Sequence, residues 1–257
     1  SNISQSGCNN VVSYSVADTG TPNPVLSYTF TGATTASGFG TGTGSTFNTG
    51  LTMVTLYATN SCGDTTTCSF TVTIDPLPAA VTASGAGTYC DNTTITAANG
   101  SDGIIYFQGT TSGGTSTTTP STSEVITASG TYYFRAQSAS GCWGPEGSVV
   151  VTIEPLPTPV TVSGAGTFCG SNTITTSGGA GGTVYFQGTT TGGLSTATPS
   201  VSEVITSSGT YYFRSQSAFG CWSQEGSANV TINPLPTAVT VSGTGTYCGA
   251  VTITAAN

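Results

Sequence analysis

The chain has 257 residues and a formal net charge of −8, with no Lys, no His and only two Arg. This shortage of cations excludes binding to nucleic-acid phosphates and disfavours an anionic membrane surface. No apolar run approaches the roughly 20 residues of a membrane span, so no membrane insertion is expected of this segment. Because an initiator Met and a signal peptide are both missing, we expect a mature or excised piece.

The segment 1–75 contains strand-like runs separated by turn residues. LSYTF, MVTLYATN and CSFTVTI are rich in β-branched and aromatic residues, and no helix pattern follows the glycine-rich stretch SGFGTGTGS. The stretch therefore predicts turns rather than a phosphate-binding loop. Residues 1–75 are expected to form a first β-sandwich.

A long internal repeat makes up the remainder of the chain. The tripeptide PLP begins at Pro76, Pro155 and Pro234, at equal offsets, and IYFQGTTSGG and VYFQGTTTGG recur in the same register. This periodicity predicts two full repeats and the truncated start of a third. The expected boundaries are 76–154, 155–233 and 234–257.

Short strand-like runs alternate with turn residues throughout each repeat, at intervals of about 8–12 residues, and no window has a helical period. The pattern predicts an all-β chain of tandem immunoglobulin-like β-sandwiches. Pro-x-Pro connectors favour an extended backbone, so we expect beads on a string. In SGTYYF, the hydroxyl of Tyr132 or Tyr133 is expected to hydrogen-bond back to the backbone as a tyrosine corner.

Each full repeat carries two cysteines, Cys90 with Cys142 and Cys169 with Cys221, and the separation is identical in the two repeats. In a chain without His, this constant spacing favours disulfides over zinc. We therefore predict the disulfides Cys90–Cys142 and Cys169–Cys221. Such bonds imply an oxidising, extracellular setting.

The first segment has three cysteines, Cys8, Cys62 and Cys68. The separation of Cys8 from Cys62 comes close to the cysteine spacing in the repeats, which predicts a Cys8–Cys62 disulfide. Cys68 is then unpaired within the segment, and the pairs Cys8–Cys68 and Cys62–Cys68 stay open as alternatives. Cys248 is also unpaired, and its partner is expected near position 300.

Two charge pairs recur with the repeat. Glu124 stands eleven residues before Arg135, and Glu203 stands eleven residues before Arg214. These arginines are the only cations of the chain. We expect a structural ion pair in each repeat, Glu124–Arg135 and Glu203–Arg214.

Trp143 and Trp222 follow the second cysteine of each repeat. They are candidates for an aromatic platform that binds a sugar ring. The alternative is that each indole covers a disulfide or contacts the next domain.

The residues that common catalytic sites need are missing. Without His there is no Ser–His–Asp or Cys–His site, and without Lys there is no Schiff base or P-loop. The ten acids are scattered and form no calcium loop. We expect no enzyme activity, no cofactor and no metal site.

The cysteine contexts SGCW at Cys142 and FGCW at Cys221, with Cys90 and Cys169 upstream, carry a family likeness. The repeats resemble the bacterial Ig-like repeats of very long surface proteins of Bacteroidota-type bacteria. The first segment, with GCNNVVSYSV, GSTFNTGLTMVTLYATN and TCSFTVTI, resembles the hyalin-repeat (HYR) domain. HYR domains often carry a further cysteine upstream of their first strand, which would account for Cys68.

The resemblance implies cell-surface adhesins, surface filaments or spacers in secreted enzymes. We therefore expect a disulfide-stabilised structural segment of a long extracellular repeat protein, an adhesin or a filament subunit. Its expected partners are copies of itself, surface glycans, or both. The alternative is a set of carbohydrate-binding or spacer modules of a secreted hydrolase. The stretch Asp64-Thr65-Thr66 fits an O-glycosylation pattern of such secreted proteins, which makes Thr65 a candidate glycan acceptor.

Overall fold

The computed structural model describes residues 4–8, 10–17, 20, 23–118, 120–242 and 245–256. Every regular element in these ranges is a β-strand. The chain forms two compact units, Ser1–Ile153 and Glu154–Asn257. The first unit holds two hydrophobic cores and the second holds one. We call the parts of the chain around these cores the first, second and third modules.

The first module is built on a five-stranded sheet. Its strand order is β1-β7-β6-β3-β4, and β2 pairs separately with β5. Phe47, Val54 and Val72 are almost fully enclosed in its core. The strands are β1 Ser4–Gly7, β2 Val11–Val12, β3 Val25–Gly32, β4 Ala36–Phe39, β5 Ser45–Thr46, β6 Gly50–Thr59 and β7 Thr65–Ile74.

The second module is a two-sheet sandwich. A three-stranded sheet, β8-β10-β12, faces a four-stranded sheet, β9-β14-β13-β11. Alternate residues of β13, including Phe134 and Ala136, point into the core between the sheets, as the period of a strand requires. The strands are β8 Val81–Ser84, β9 Gly87–Cys90, β10 Thr93–Asn99, β11 Ile104–Phe107, β12 Ser123–Ile126, β13 Gly130–Gln137 and β14 Gly147–Glu154.

The third module repeats this order, with β15-β17-β19 in one sheet and β16-β21-β20-β18 in the other. The chain is therefore an all-β array of tandem immunoglobulin-like sandwiches, as the sequence predicted. The strands are β15 Val160–Ser163, β16 Gly166–Cys169, β17 Asn172–Gly178, β18 Thr183–Phe186, β19 Ser202–Ile205, β20 Gly209–Gln216 and β21 Gly226–Asn233, followed by the pair β22 Thr240–Ser242 and β23 Thr254–Ala256.

The short parallel strand and the last hairpin mark opposite ends of a module. β16 runs parallel to β21, and its last residue, Cys169, lies beside Asn233, the last residue of β21. We call this end, where a PLP connector begins, the trailing end. The hairpin between β20 and β21 lies at the leading end. In the first module β1 has the same relation to β7, because Gly7 lies beside Ile74.

The predicted tyrosine corner is present in both repeats. The Tyr132 hydroxyl donates a hydrogen bond to the Ala128 carbonyl oxygen at 2.7 Å. Tyr211 makes the equivalent bond to Ser207 at 2.8 Å. The sequence had left Tyr132 and Tyr133 as alternatives, and the inward-facing residue of the two makes the bond.

Candidate functional site

A disulfide joins the first module to the second. Cys8 is bonded to Cys142, with their Cα atoms 5.3 Å apart and a sequence separation of 134. Cys8 is exposed and lies one residue beyond the end of β1, at the trailing end of the first module. Cys142 is fully buried in the hairpin between β13 and β14, at the leading end of the second.

This bond overturns the predicted disulfide pairing. Cys8–Cys62 and Cys90–Cys142 are wrong because Cys8 and Cys142 bind each other, and Cys169–Cys221 is wrong because Cys169 is a free thiol. The alternatives Cys8–Cys68 and Cys62–Cys68 are contradicted as well. Cys90 and Cys221 are each disulfide-bonded. The free, exposed cysteines are Cys62, Cys68, Cys169 and Cys248.

The parallel strand explains why a pair within one module is impossible. In the third module, Cys169 lies beside the last residue of β21, whereas Cys221 precedes its first residue. A strand rises about 3.3 Å per residue, so the length of β21 separates the two cysteines by about 23 Å. A disulfide needs Cα atoms within about 7 Å. The constant cysteine spacing reflects the repeat and not a contact.

The connector between the first two modules packs beside the disulfide. Pro78 is almost fully buried, and added Cβ atoms at Gly103 and Gly144 would lie within 3.0 Å of Pro78 atoms. Gly144 is two residues from Cys142. The Ala79 amide also donates a hydrogen bond to the Ser101 carbonyl at 3.1 Å. The connector and the disulfide therefore both contact the hairpin between β13 and β14.

Hydrogen bonds within the hairpin fix the backbone of Cys142. The Cys142 amide donates to the Ser138 hydroxyl at 3.0 Å, and the Ser138 amide donates to the Cys142 carbonyl at 2.9 Å. Cys221 and Ser217 form the same pair of bonds, at 3.1 and 2.8 Å. The cysteine is thus held in place by a turn that both repeats share.

The predicted ion pair between Glu124 and Arg135 is wrong, and so is its equivalent between Glu203 and Arg214. Glu124 lies on β12 beside Ile95, in the three-stranded sheet, whereas Arg135 lies on β13 in the sheet opposite. Arg135 instead donates from Nε to the Gly144 carbonyl at 3.0 Å and from Nη1 to the carbonyls of Gly113 and Gly114.

Glu146 holds the same loop from the other side. Its carboxylate accepts hydrogen bonds from the Gly113 amide and the Ser112 hydroxyl, both at 2.7 Å. The amide bond first, and then the hydroxyl bond, lower the pKa of Glu146 below its ordinary value of 4.5, and the charge of Arg135 acts in the same direction. Arg135 and Glu146 together clamp the loop at residues 112–114.

Buried Gln108 completes this clamp and was not identified from the sequence. Its amide nitrogen donates to the Ser116 carbonyl at 3.0 Å, and its amide oxygen accepts from the Ser116 amide at 2.9 Å. The recurrence of FQGTT in both repeats was the signal available in the sequence.

The third module repeats the clamp with its own residues. Arg214 donates to the carbonyls of Ser223 and Gly193, and Gln187 bonds Ser195 as Gln108 bonds Ser116. Glu225 accepts from Gly192 and Thr191, and these bonds lower its pKa as they do for Glu146. The guanidinium and carboxylate of each repeat therefore have internal partners.

The two tryptophans are half-buried beside these arginines. The Arg135 guanidinium carbon lies 5.4 Å from the Trp143 ring centroid, and the Tyr106 ring meets the indole at 66° with centroids 5.7 Å apart. Trp222 has the same neighbours in Arg214 and Tyr185. A sugar ring would have only the indole face that the guanidinium leaves open, and the sugar platform stays a prediction.

Thr65 begins β7 at the leading end of the first module and is exposed. Its hydroxyl oxygen lies 2.9 Å from that of Thr59, across the hairpin. The hydroxyl is thus accessible, and its glycosylation stays a prediction.

The described residues contain neither a metal-binding cluster nor a membrane-crossing helix. Within the ranges given above, no group of three or more His, Cys, Asp or Glu is arranged to hold a metal ion. In the same ranges, no helix is long and apolar enough to cross a membrane.

No family model matches the chain, and no curated protein is similar to it in sequence. Among solved structures, a Ca2+-stabilized adhesin that helps an Antarctic bacterium bind ice is 14% identical, with a TM-score of 0.30, over 85% of this chain and 67% of its own. SGBP-B from the mixed-linkage glucan locus of Bacteroides ovatus is 15% identical, with a TM-score of 0.24, over 95% and 68%. An I-band fragment of titin is 13% identical, with a TM-score of 0.32, over 83% and 89%. Similarities this low assign no family and no function, and the fold class rests on the strand order.

Proposed function

We propose that the chain is a structural segment of a long extracellular repeat protein, a cell-surface adhesin or a filament subunit, whose sandwich modules are covalently joined in sequence order. The Cys8–Cys142 bond carries this proposal, because it ties two separately cored modules together instead of closing one of them. We further propose the domain boundaries 1–75, 76–154, 155–233 and 234–257.

The proposed location outside the cell follows from the same bond. Disulfides persist in oxidising compartments and are rare where thiol reductants keep cysteines reduced. The proposed role needs no catalysis, since Arg135, Glu146 and their counterparts serve as internal clamps. Copies of the same chain and surface glycans are the proposed partners.

Gold labelling of intact cells tests this function. An antibody against residues 76–233 should decorate extended structures on unpermeabilised cells, seen by electron microscopy. Label found only in the interior of sectioned cells would contradict the proposal. Native material in which Cys8 and Cys142 are both reduced would remove the observation on which it rests.

A second candidate function is carbohydrate binding at Trp143 and Trp222. The recurring contact of a half-buried indole with a tyrosine ring, Tyr106 or Tyr185, favours it. Binding on a glycan array should then be lost in the variants Trp143→Ala and Trp222→Ala. Arrays on which the unaltered chain binds nothing would remove this candidate and leave the structural role in place.

A further inference from the structure

Cys169 occupies the position that Cys8 occupies in the first module. Cys8 lies one residue beyond the pair of Gly7 and Ile74, and Cys169 lies beside Asn233. Both cysteines therefore lie at a trailing end, close to the start of a PLP connector. Cys8 is bonded there, to the hairpin of another module, whereas Cys169 is an exposed free thiol.

Cys62 lies in the hairpin that corresponds to the hairpin of Cys142, two residues before the position equivalent to Cys142. It lies in the hairpin between β6 and β7, at the leading end of the first module. The Asp64 amide donates to the Asn60 side-chain oxygen at 2.9 Å and the Asn60 amide donates to the Asp64 carbonyl at 3.0 Å, the same pair of bonds that Cys142 and Ser138 form. The Cys62 amide also donates to the Asn60 side-chain oxygen, at 3.0 Å. A turn like the one that presents Cys142 to its partner is thus present around Cys62, which is exposed and free.

We propose that Cys169 and Cys62 are the two halves of a further intermodule disulfide site, which rests on the proposed structural function. The partner of Cys169 is the hairpin cysteine of another sandwich module of this design. The partner of Cys62 is the cysteine of another module's short parallel strand. The packing of Leu235 over Gly170, at 3.2 Å from an added Cβ, brings the third connector next to Cys169.

Forming a disulfide at Cys169 or at Cys62 is an oxidation that needs an electron acceptor. One thiolate attacks the disulfide of an oxidant, either a thiol–disulfide oxidoreductase or oxidised glutathione, and forms a mixed disulfide. The second thiolate then displaces the oxidant and the protein S–S bond forms. The two protein thiols lose two protons and two electrons, and the oxidant leaves as two thiols.

Cys68 is the matched control for this proposal. Like Cys62 and Cys169, it is exposed and free. It lies within β7, however, opposite Leu56 and away from both ends of the module. Exposure therefore does not distinguish the three thiols, whereas position does, and Cys68 is expected to stay unbonded.

Disulfide mapping of unreduced native protein tests the proposal. Acidic residues separate all eight cysteines. Alkylation of free thiols, cleavage after Asp and Glu, and dilute acid to open the Asp75–Pro76 bond therefore place each cysteine on its own peptide. We expect peptide 147–203 to be linked through Cys169, and peptide 19–64 through Cys62, to peptides from other modules. Peptide 65–75, with Cys68, should be alkylated.

The linked partner identifies the source of the second module. A link between 147–203 and 19–64 indicates a second copy of this chain. The partner peptide can also carry a hairpin cysteine and have a sequence that does not occur in this chain. That result indicates that the second module lies outside the 257 residues of this sequence. Alkylated Cys169, or Cys169 bonded to Cys68, to Cys221 or to a small thiol, overturns the proposal.

A purified variant tests the geometry independently. Residues 234–257 are replaced by a second copy of 155–233, which again begins with PLP, and the protein is oxidised with glutathione. Cys169 should lose its alkylation, and should regain it when the copied counterpart of Cys221 is changed to Ser. If Cys169 stays alkylated although the 1–18 and 125–146 peptides remain linked, the proposal fails while the proposed function stands.

Discussion

Tyr132 and Tyr133 are neighbours on β13 that face opposite sides of the sheet. The Tyr132 hydroxyl bonds the Ala128 carbonyl, whereas the Tyr133 hydroxyl has no hydrogen bond within the described ranges of the chain. We expect Tyr132→Phe to lower the free energy of unfolding by about 1 kcal/mol, the usual net value of one hydrogen bond. Denaturant unfolding measures the loss, and Tyr133→Phe is the control. Equal losses in the two variants would contradict the corner's role.

Glu146 gives the second module a pH-dependent contribution to stability. Because folding lowers its pKa below 4.5, the stabilisation is fully present above that value and disappears as the pH falls through the lower, folded pKa. We expect Glu146→Gln to reduce the unfolding midpoint near neutral pH and to approach the unaltered chain in acid. Thermal unfolding from pH 7 downwards measures this.

The control for the pH series is Glu124→Gln, which removes a carboxylate that does not contact the clamped loop. The unfolding midpoint of Glu124→Gln should not approach that of the unaltered chain in acid in the way expected for Glu146→Gln. A constant difference for Glu146→Gln across the whole series would show that the carboxylate contributes nothing in its ionised form.

At the scale of the element, the first residue of β14 sits against the first strand of the module. A Cβ on Gly147 would collide with the Val81 carbonyl oxygen, and Gly226 meets Val160 in the same way. We expect Gly147→Ala to destabilise the second module by at least ~2 kcal/mol, because backbone atoms must shift. Denaturant unfolding measures the change.

Gly130→Ala is the matched control. Gly130 also opens a strand, β13, but an added Cβ would lie 3.5 Å from its nearest neighbour, an ordinary contact. The free energy of unfolding of Gly130→Ala should lie within about 0.5 kcal/mol of that of the unaltered chain, the usual range for a substitution without strain. A larger loss of stability in Gly130→Ala than in Gly147→Ala would show that β14 can move away from Val81 at little cost.

The elements also explain what the sequence could and could not predict. Strand alternation and the regular offset of the PLP tripeptides can be recognised from the sequence alone, so they predicted the sandwich repeats and the tyrosine corner. The pairing of Cys8 with Cys142 depends on β1 running parallel to β7, which places the cysteine at the trailing end. The constant spacing of the repeat cysteines carries no information on that direction.

The predicted ion pairs were wrong for a related reason. The eleven-residue spacing of Glu124 and Arg135 does not show that the chain crosses from one sheet to the other between them. Arg135 instead donates hydrogen bonds to backbone carbonyls, two of which belong to the loop that Glu146 also contacts. Carbonyl partners leave no trace in residue types, so only the recurrence of FQGTT and of the glutamate marked these contacts.

At the scale of the molecule, two covalent paths cross the joint between the first and second modules: the PLP connector and the Cys8–Cys142 bond. We insert a protease recognition sequence between Asp75 and Pro76. After cleavage, the fragments should run as one species on a non-reducing gel and as two after reduction. In the variant Cys8→Ser they should separate without reductant. Separation of the unaltered chain without reductant would contradict the Cys8–Cys142 bond.

The two halves of this bond are never alike, because a trailing end meets a leading end. Two identical copies joined by one such bond contribute different cysteines, one from a trailing end and one from a leading end. Association through such bonds is heterologous, and each added copy uses one half and supplies another. A series of these modules therefore has a direction, like a polar polymer.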